Sequence, residues 1–170
     1  VLINGAQILS VFQINLLIKS EWKMLKESLL EIFERDLNKL KDEINLYKDE
    51  NSLWIVKKEI SNSAGNLCLH LMGNLNHFIG AALGETGYVR NRENEFTTKN
   101  VSAKVLINYI ENTVEIVKHT LENLSSEDLD KDFPQQKHSK IVKTDFMLLH
   151  LISHFNYHLG QINYHRRLIS

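Results

Sequence analysis

The sequence predicts an all-α protein, a four-helix bundle, on three observations. Turn formers are scarce, with seven glycines and one proline in 170 residues, too few for a chain of many short strands. Apolar residues recur at three- and four-residue steps in four long segments. Polar stretches carrying N-cap residues separate these segments. Amphipathic helices of this kind bury their stripes by packing on one another.

The helices can be read in order. From Trp22, the residues Leu25, Leu29, Ile32/Phe33, Leu37, Leu40, Ile44 and Tyr47 form a sustained stripe opposite a charged face. This first helix ends near Asp49-Glu50-Asn51. Ser61-Asn62-Ser63 supplies N-cap chemistry for a second helix, from about Ala64 to Leu83. The third runs from about Ser102 to Leu124 through Val105/Leu106, Ile110, Val117 and Leu121. Thr144 caps a fourth that continues to about Leu168. Residues 87–100 and 125–143 read as polar loops. The bundle domain is expected over residues 24–170. Residues 1–23 are expected to be an extension or leader, or an extra helix packed on the bundle or on a partner.

Composition narrows the function classes. The chain is 43% hydrophobic and 24% charged, with a net charge of −1, so it lacks the basic excess that accompanies nucleic-acid binding. Residues 1–19 are broken by Asn4, Gln7, Ser10, Gln13 and Asn15, which argues against a signal peptide and against a membrane span. The one cysteine, Cys68, excludes an internal disulfide and fits a reducing compartment. A cytoplasmic location is the expectation.

The histidines carry the functional signal. Four of eight fall in the last helix, and His150, His154 and His158 lie four apart on one face. A helical turn rises about 5.4 Å, so adjacent members of the row can grip one ion. His150 and His158, roughly 12 Å apart along the axis, cannot. Spacing alone leaves two pairs open, His150/His154 and His154/His158. A lone histidine on an apolar helix is more often a hydrogen-bonded core or boundary residue, and His77, His119, His138 and His165 take that reading. His70 stands apart from them, set mid-helix between Asn66 and Asn74 on an apolar segment, where buried polar groups need partners. It could face the last helix and complete a three-histidine site. Three neutral ligands would leave coordination positions open for water or substrate.

Two stretches resemble the DinB/YfiT-like superfamily: the segment from Ser61 through His70 to Ile79, and His154-Phe-Asn-Tyr-His158-Leu-Gly-Gln161-Ile162. Arg90-Asn-Arg92-Glu-Asn-Glu-Phe96 resembles a loop of one branch of it. The resemblance covers roughly Met24 to Leu168. It implies a four-helix bundle, often a homodimer, with zinc or nickel held by His70, His154 and His158. The preference for that pair on the last helix comes from the resemblance. It also leaves Asn74, His150 and Gln161 as residues that could support the ligands.

Characterised members of the superfamily include thiol S-transferases and proposed metal-dependent hydrolases acting on small molecules. The resemblance therefore implies a transferase that adds a low-molecular-weight thiol to an electrophile. The alternatives are a hydrolase, or a non-catalytic metal-binding stress-response protein. Arg90 and Arg92 could hold an anionic thiol. Cys68, about 200° around the helix from His70, reads as core filling.

Overall fold

Side-chain caps set most of the helix boundaries. The computed structural model describes residues 11–57, 59–135 and 140–169, and among them there are six α-helices and no strand. Helix α1 spans Val11–Asn45, and a 3₁₀ turn at Glu50–Trp54 leads on to α2, Ala64–Leu75. A π-helical segment, Asn76–Ala81, continues α2. Then follow α3, Arg92–Thr97; α4, Ala103–Asn123; α5, Ser126–Asp130; and α6, Thr144–Ile169. The Ser63, Asn91 and Ser102 side chains accept from the backbone N–H three residues on, capping α2, α3 and α4. Ser125 and Asp128 form a capping box on α5, which satisfies two end donors reciprocally.

The long helices form the bundle that the stripes predict. Helices α1 and α2 each pack against both α4 and α6, which places them at opposite corners. Lys26 of α1 donates to the carbonyls of Glu122 and Leu124, and Lys41 pairs with Glu111; α1 and α4 are therefore antiparallel. Asn156 donates to Asp36, and Arg166 pairs with Glu43, so α1 and α6 are parallel. Asn76 donates to Thr113, and a Cβ at Gly84 would collide with Thr120, so α2 runs with α4. By elimination α2 opposes α6, in up-down-down-up order. The core holds Leu29, Phe33, Leu37, Leu40 and Ile44 of α1 against Leu71, Leu75, Leu106, Ile110, Phe155 and Ile162. These are the apolar stripe positions, and burying each such side chain contributes about 1.5–3 kcal/mol.

Four elements differ from expectation. The helix expected to begin near Trp22 runs unbroken from Val11, so residues 11–23 are the first part of α1 and not a separate element. Residues 1–10 lie outside the described residues. The second helix stays α-helical only to Leu75 and passes through a π-helical turn before Leu83. Both expected loops contain a short helix, α3 and α5, each too brief to show a period. No helix among the described residues is long and apolar enough to cross a membrane.

Two histidines given a structural reading keep it. His165 is buried, with Nδ1 2.7 Å from the Tyr47 hydroxyl and Nε2 2.9 Å from the Ile55 carbonyl. The carbonyl can only accept, so Nε2 carries the proton and Nδ1 accepts from tyrosine. His119 is exposed on α4 beside Asn123. His138 lies outside the described residues.

Glu43 ties α1 to α6, accepting from Asn163 at 2.6 Å and from Arg166 at 2.7 Å. Burial pushes its carboxyl up, but the hydrogen bonds from Arg166 and Asn163 outweigh it and leave the pKa below the usual 4.5. A carboxyl lowered by folding stabilises the fold above its unfolded pKa, and that contribution is lost as pH falls through the folded value. Thermal melts followed by circular dichroism should therefore show Tm dropping as pH falls below 4.5. The drop should be shallower in Glu43→Gln, and an identical acid slope in the variant would contradict the link.

Candidate metal centre

Antiparallel packing of α2 on α6 brings together three histidines that are 84 and 4 positions apart in the chain. His70 Nε2 lies 3.3 Å from His154 Nε2, and His158 Nε2 lies 3.2 Å from the same atom. The three donor atoms all fall within 4.8 Å of one another. His70 is buried, whereas His154 and His158 are half-buried at the rim.

The outer ring nitrogens fix the tautomers. His70 Nδ1 is 2.8 Å from Glu95 Oε2, and His158 Nδ1 is 2.7 Å from Gln161 Oε1. A carboxylate only accepts, so His70 carries its proton on Nδ1. Arg90 Nη2 also approaches that nitrogen, at 3.3 Å. Arginine cannot accept, so this contact is a flanking one and the shorter carboxylate bond decides. Gln161, its carbonyl oriented toward the ring, assigns His158 the same tautomer. Both Nε2 atoms therefore present lone pairs toward His154.

Lone pairs at such separations repel unless an N–H or a cation lies between them, and His154 can turn its one N–H toward only one of its two neighbours. Around zinc, with nitrogens about 2.0–2.1 Å from the ion, the edges of a tetrahedron measure roughly 3.3–3.4 Å. The 3.3 and 3.2 Å separations match those edges. A second proton on His154 is disfavoured. Burial, then the neighbouring His158, His70, His150 and Arg90, lower the His154 pKa from 6.5 to about 4. Burial and His70 also lower that of His158. Near neutral pH these imidazoles are uncharged, as a metal ligand must be. His154 Nδ1 is buried with no hydrogen-bond partner among the described residues.

Glu95 is held in turn by Arg90, whose Nε and Nη2 lie 2.6 and 2.8 Å from the two carboxylate oxygens. Burial pushes the Glu95 carboxyl up, but hydrogen bonds from Arg90 and His70 outweigh it and keep the group ionised. A carboxylate–histidine pair of this kind orients a metal ligand and raises its basicity.

The other expected site residues fall in different places. Gln161 reaches His158, as above. The His150 ring sits 6.2 Å from that of His154, outside the group of three. Asn74 is buried with Oδ1 unpartnered among the described residues. Arg90 is committed to Glu95. Arg92 is exposed, its guanidinium 5.7 Å from the Phe96 ring, which packs 5.0 Å from His70. Cys68 is fully buried and burial raises its pKa to about 12, so it fills core and is no nucleophile. Sequence reasoning missed Glu95. It lay inside the Arg90–Phe96 stretch, but a loop has no period to show which way a carboxylate faces.

Fold and site together define an all-α bundle with a three-histidine cluster that could hold a metal ion. The chain belongs to the family described as protein of unknown function DUF1572, whose model matches residues 23–170. No curated protein matches the chain.

Purified protein should take up one divalent ion per chain, read by elemental analysis. At an ion concentration about 100-fold above Kd, binding should stabilise the fold by about 2.7 kcal/mol. That corresponds to a Tm rise of roughly 5–10 °C for a chain of this size. His154→Ala and His158→Ala should lose the ion and the Tm rise, while His150→Ala keeps both. Full metal content in His154→Ala would refute the assignment.

Proposed function

We propose that the protein is a metal-dependent transferase of the DinB type, joining a low-molecular-weight thiol to an electrophile, with zinc or nickel at the centre. The observation that carries this reading is the set of three histidine nitrogens converging within 4.8 Å at the bundle rim. Three protein ligands at a half-exposed edge leave room for a reacting molecule, which a closed four-ligand structural site does not.

When bound there, a divalent ion supplies Lewis acidity, lowering the pKa of water or a thiol brought to it so that a nucleophile exists near neutral pH. His70, His154 and His158 hold the ion. Glu95 and Gln161 keep the Nε2 lone pairs of His70 and His158 aimed inward. Phe96 packs against His70 and covers one side of it. Arg92 is exposed with its charge over that phenylalanine, a position suited to steering an anionic thiol. In the overall reaction a sulfur–carbon bond forms, the broken bond's electron pair passes to the leaving group or, in an epoxide, to the ring oxygen, and the thiol's proton goes to solvent or to that oxygen. A second copy of the chain as partner belongs to the same proposal.

The test is a panel of bacillithiol, mycothiol, glutathione and coenzyme A against alkylating and epoxide electrophiles. Free thiol is read by disulfide-exchange colorimetry and conjugates by mass spectrometry. One thiol should be consumed by the metal-loaded protein and not by His154→Ala. With the natural thiol, Arg92→Ala should raise KM and leave kcat nearly unchanged, because steering acts on binding. No thiol consumption with any pair would overturn the proposal, and metal-dependent ester or amide cleavage without thiol would replace it with a hydrolase.

A further inference from the structure

The segment after α2 leaves the bundle, forms α3 and returns as α4. Its one buried charged residue is Glu95, and four separate features hold it. His70 Nδ1 donates to Oε2 at 2.8 Å. Arg90 forks onto both oxygens. Asn66, one turn before His70 on α2, donates from Nδ2 to the Glu95 carbonyl at 3.0 Å and to the Thr98 carbonyl at 2.8 Å. Finally, Gly73 makes room, since a Cβ there would collide with Glu95 Oε1. Two polar residues of α2, Asn66 and His70, thus dock α3. Asn66 grips its backbone, His70 its carboxylate, and Gly73 clears the space between.

We propose that Glu95 is the positioning residue of the three-histidine centre, and that through it the α3 segment and the centre form one cooperative unit. The inference rests on the reading that His70, His154 and His158 hold a metal ion. An imidazole has two tautomers, and only the Nδ1–H form offers Nε2 to the ion. Glu95 selects that form before any ion arrives, so metal affinity includes no cost of switching the ring. Linkage is reciprocal. If the docked α3 segment raises metal affinity, then bound metal must hold that segment down by the same factor.

Three variants test this in the full chain. Glu95→Ala removes the acceptor, and Glu95→Gln restores an acceptor without the charge. Gly73→Ala displaces the carboxylate while leaving every hydrogen-bonding group in place. The first readout uses metal-free protein: the ring nitrogen shifts of His70 by NMR. Wild type should show the Nδ1–H tautomer, Glu95→Ala and Gly73→Ala a tautomer mixture, and Glu95→Gln the wild-type form again. The second is zinc affinity by competition with a chelating dye, expected to fall about 10–100-fold in Glu95→Ala and by less in Glu95→Gln. The third is hydrogen exchange of residues 90–98, which zinc should slow in wild type and not in Glu95→Ala.

His70 retaining its tautomer in both Glu95→Ala and Gly73→Ala would overturn the positioning role. Zinc affinity within twofold of wild type in a folded Glu95→Ala would do the same. Wild type that binds no zinc would overturn the metal reading, and the tautomer measurement would still decide whether Glu95 sets His70.

Discussion

Three imidazole nitrogens aimed at one another are the constraint around which this bundle is arranged. At 3.2 and 3.3 Å two lone pairs repel unless an N–H or a cation lies between them, and a neutral His154 has a single N–H to offer its two neighbours. Such a cluster persists only where rigid elements hold it. Here α2 and α6 supply that rigidity. Leu67, Leu71 and Leu75 pack from one side and Leu151, Phe155, Leu159 and Ile162 from the other, so the ligand-bearing turns sit over well-packed core. Stability given up at the centre is returned when a cation binds the folded chain alone.

The bundle was legible because its information is periodic. Stripes at three- and four-residue steps identify buried faces whatever they pack against, and residues such as Ser63 and Ser102 mark helix starts through a bond three positions away. The row on α6 was legible to the extent of a pair. Periodicity could not choose between His150/His154 and His154/His158, because the choice depends on which turn of α6 lies opposite His70. That is a property of the packed pair of helices, and it was the likeness of the His154–Ile162 stretch to a known motif that picked the pair.

What escaped the sequence is aperiodic or long-range. Glu95 acts from a helix of six residues, 25 positions from the histidine it serves, and no spacing rule connects them. Gly73 carries no sign in the sequence that a Cβ there would collide with a carboxylate 22 positions on. Arg90 reads as a candidate ligand for an anion, but its guanidinium meets a carboxylate of the chain itself. A cation in a loop offers no sign of whether its partner is solvent, a ligand or a buried acid. The continuation of α1 upstream of Trp22 was hidden for the opposite reason: polar residues interrupt the apolar pattern there, while the backbone still carries the helix.

The charges around the centre bear on its chemistry. Histidine ligates a metal ion in its neutral form, and the nearest carboxylate, Glu95, is matched by the guanidinium of Arg90 at 2.6 and 2.8 Å. The supporting shell therefore adds almost no net charge, and a divalent ion would keep nearly its full +2. A centre built from carboxylate or thiolate ligands would neutralise part of that charge and weaken its pull on a fourth ligand. In a half-buried site, where the effective dielectric is below that of water, the retained charge favours an anionic occupant and the deprotonated form of a weak acid such as a thiol. Glu95 thus gives His70 its orientation without diluting the cation, because Arg90 cancels its charge at the point where it would act.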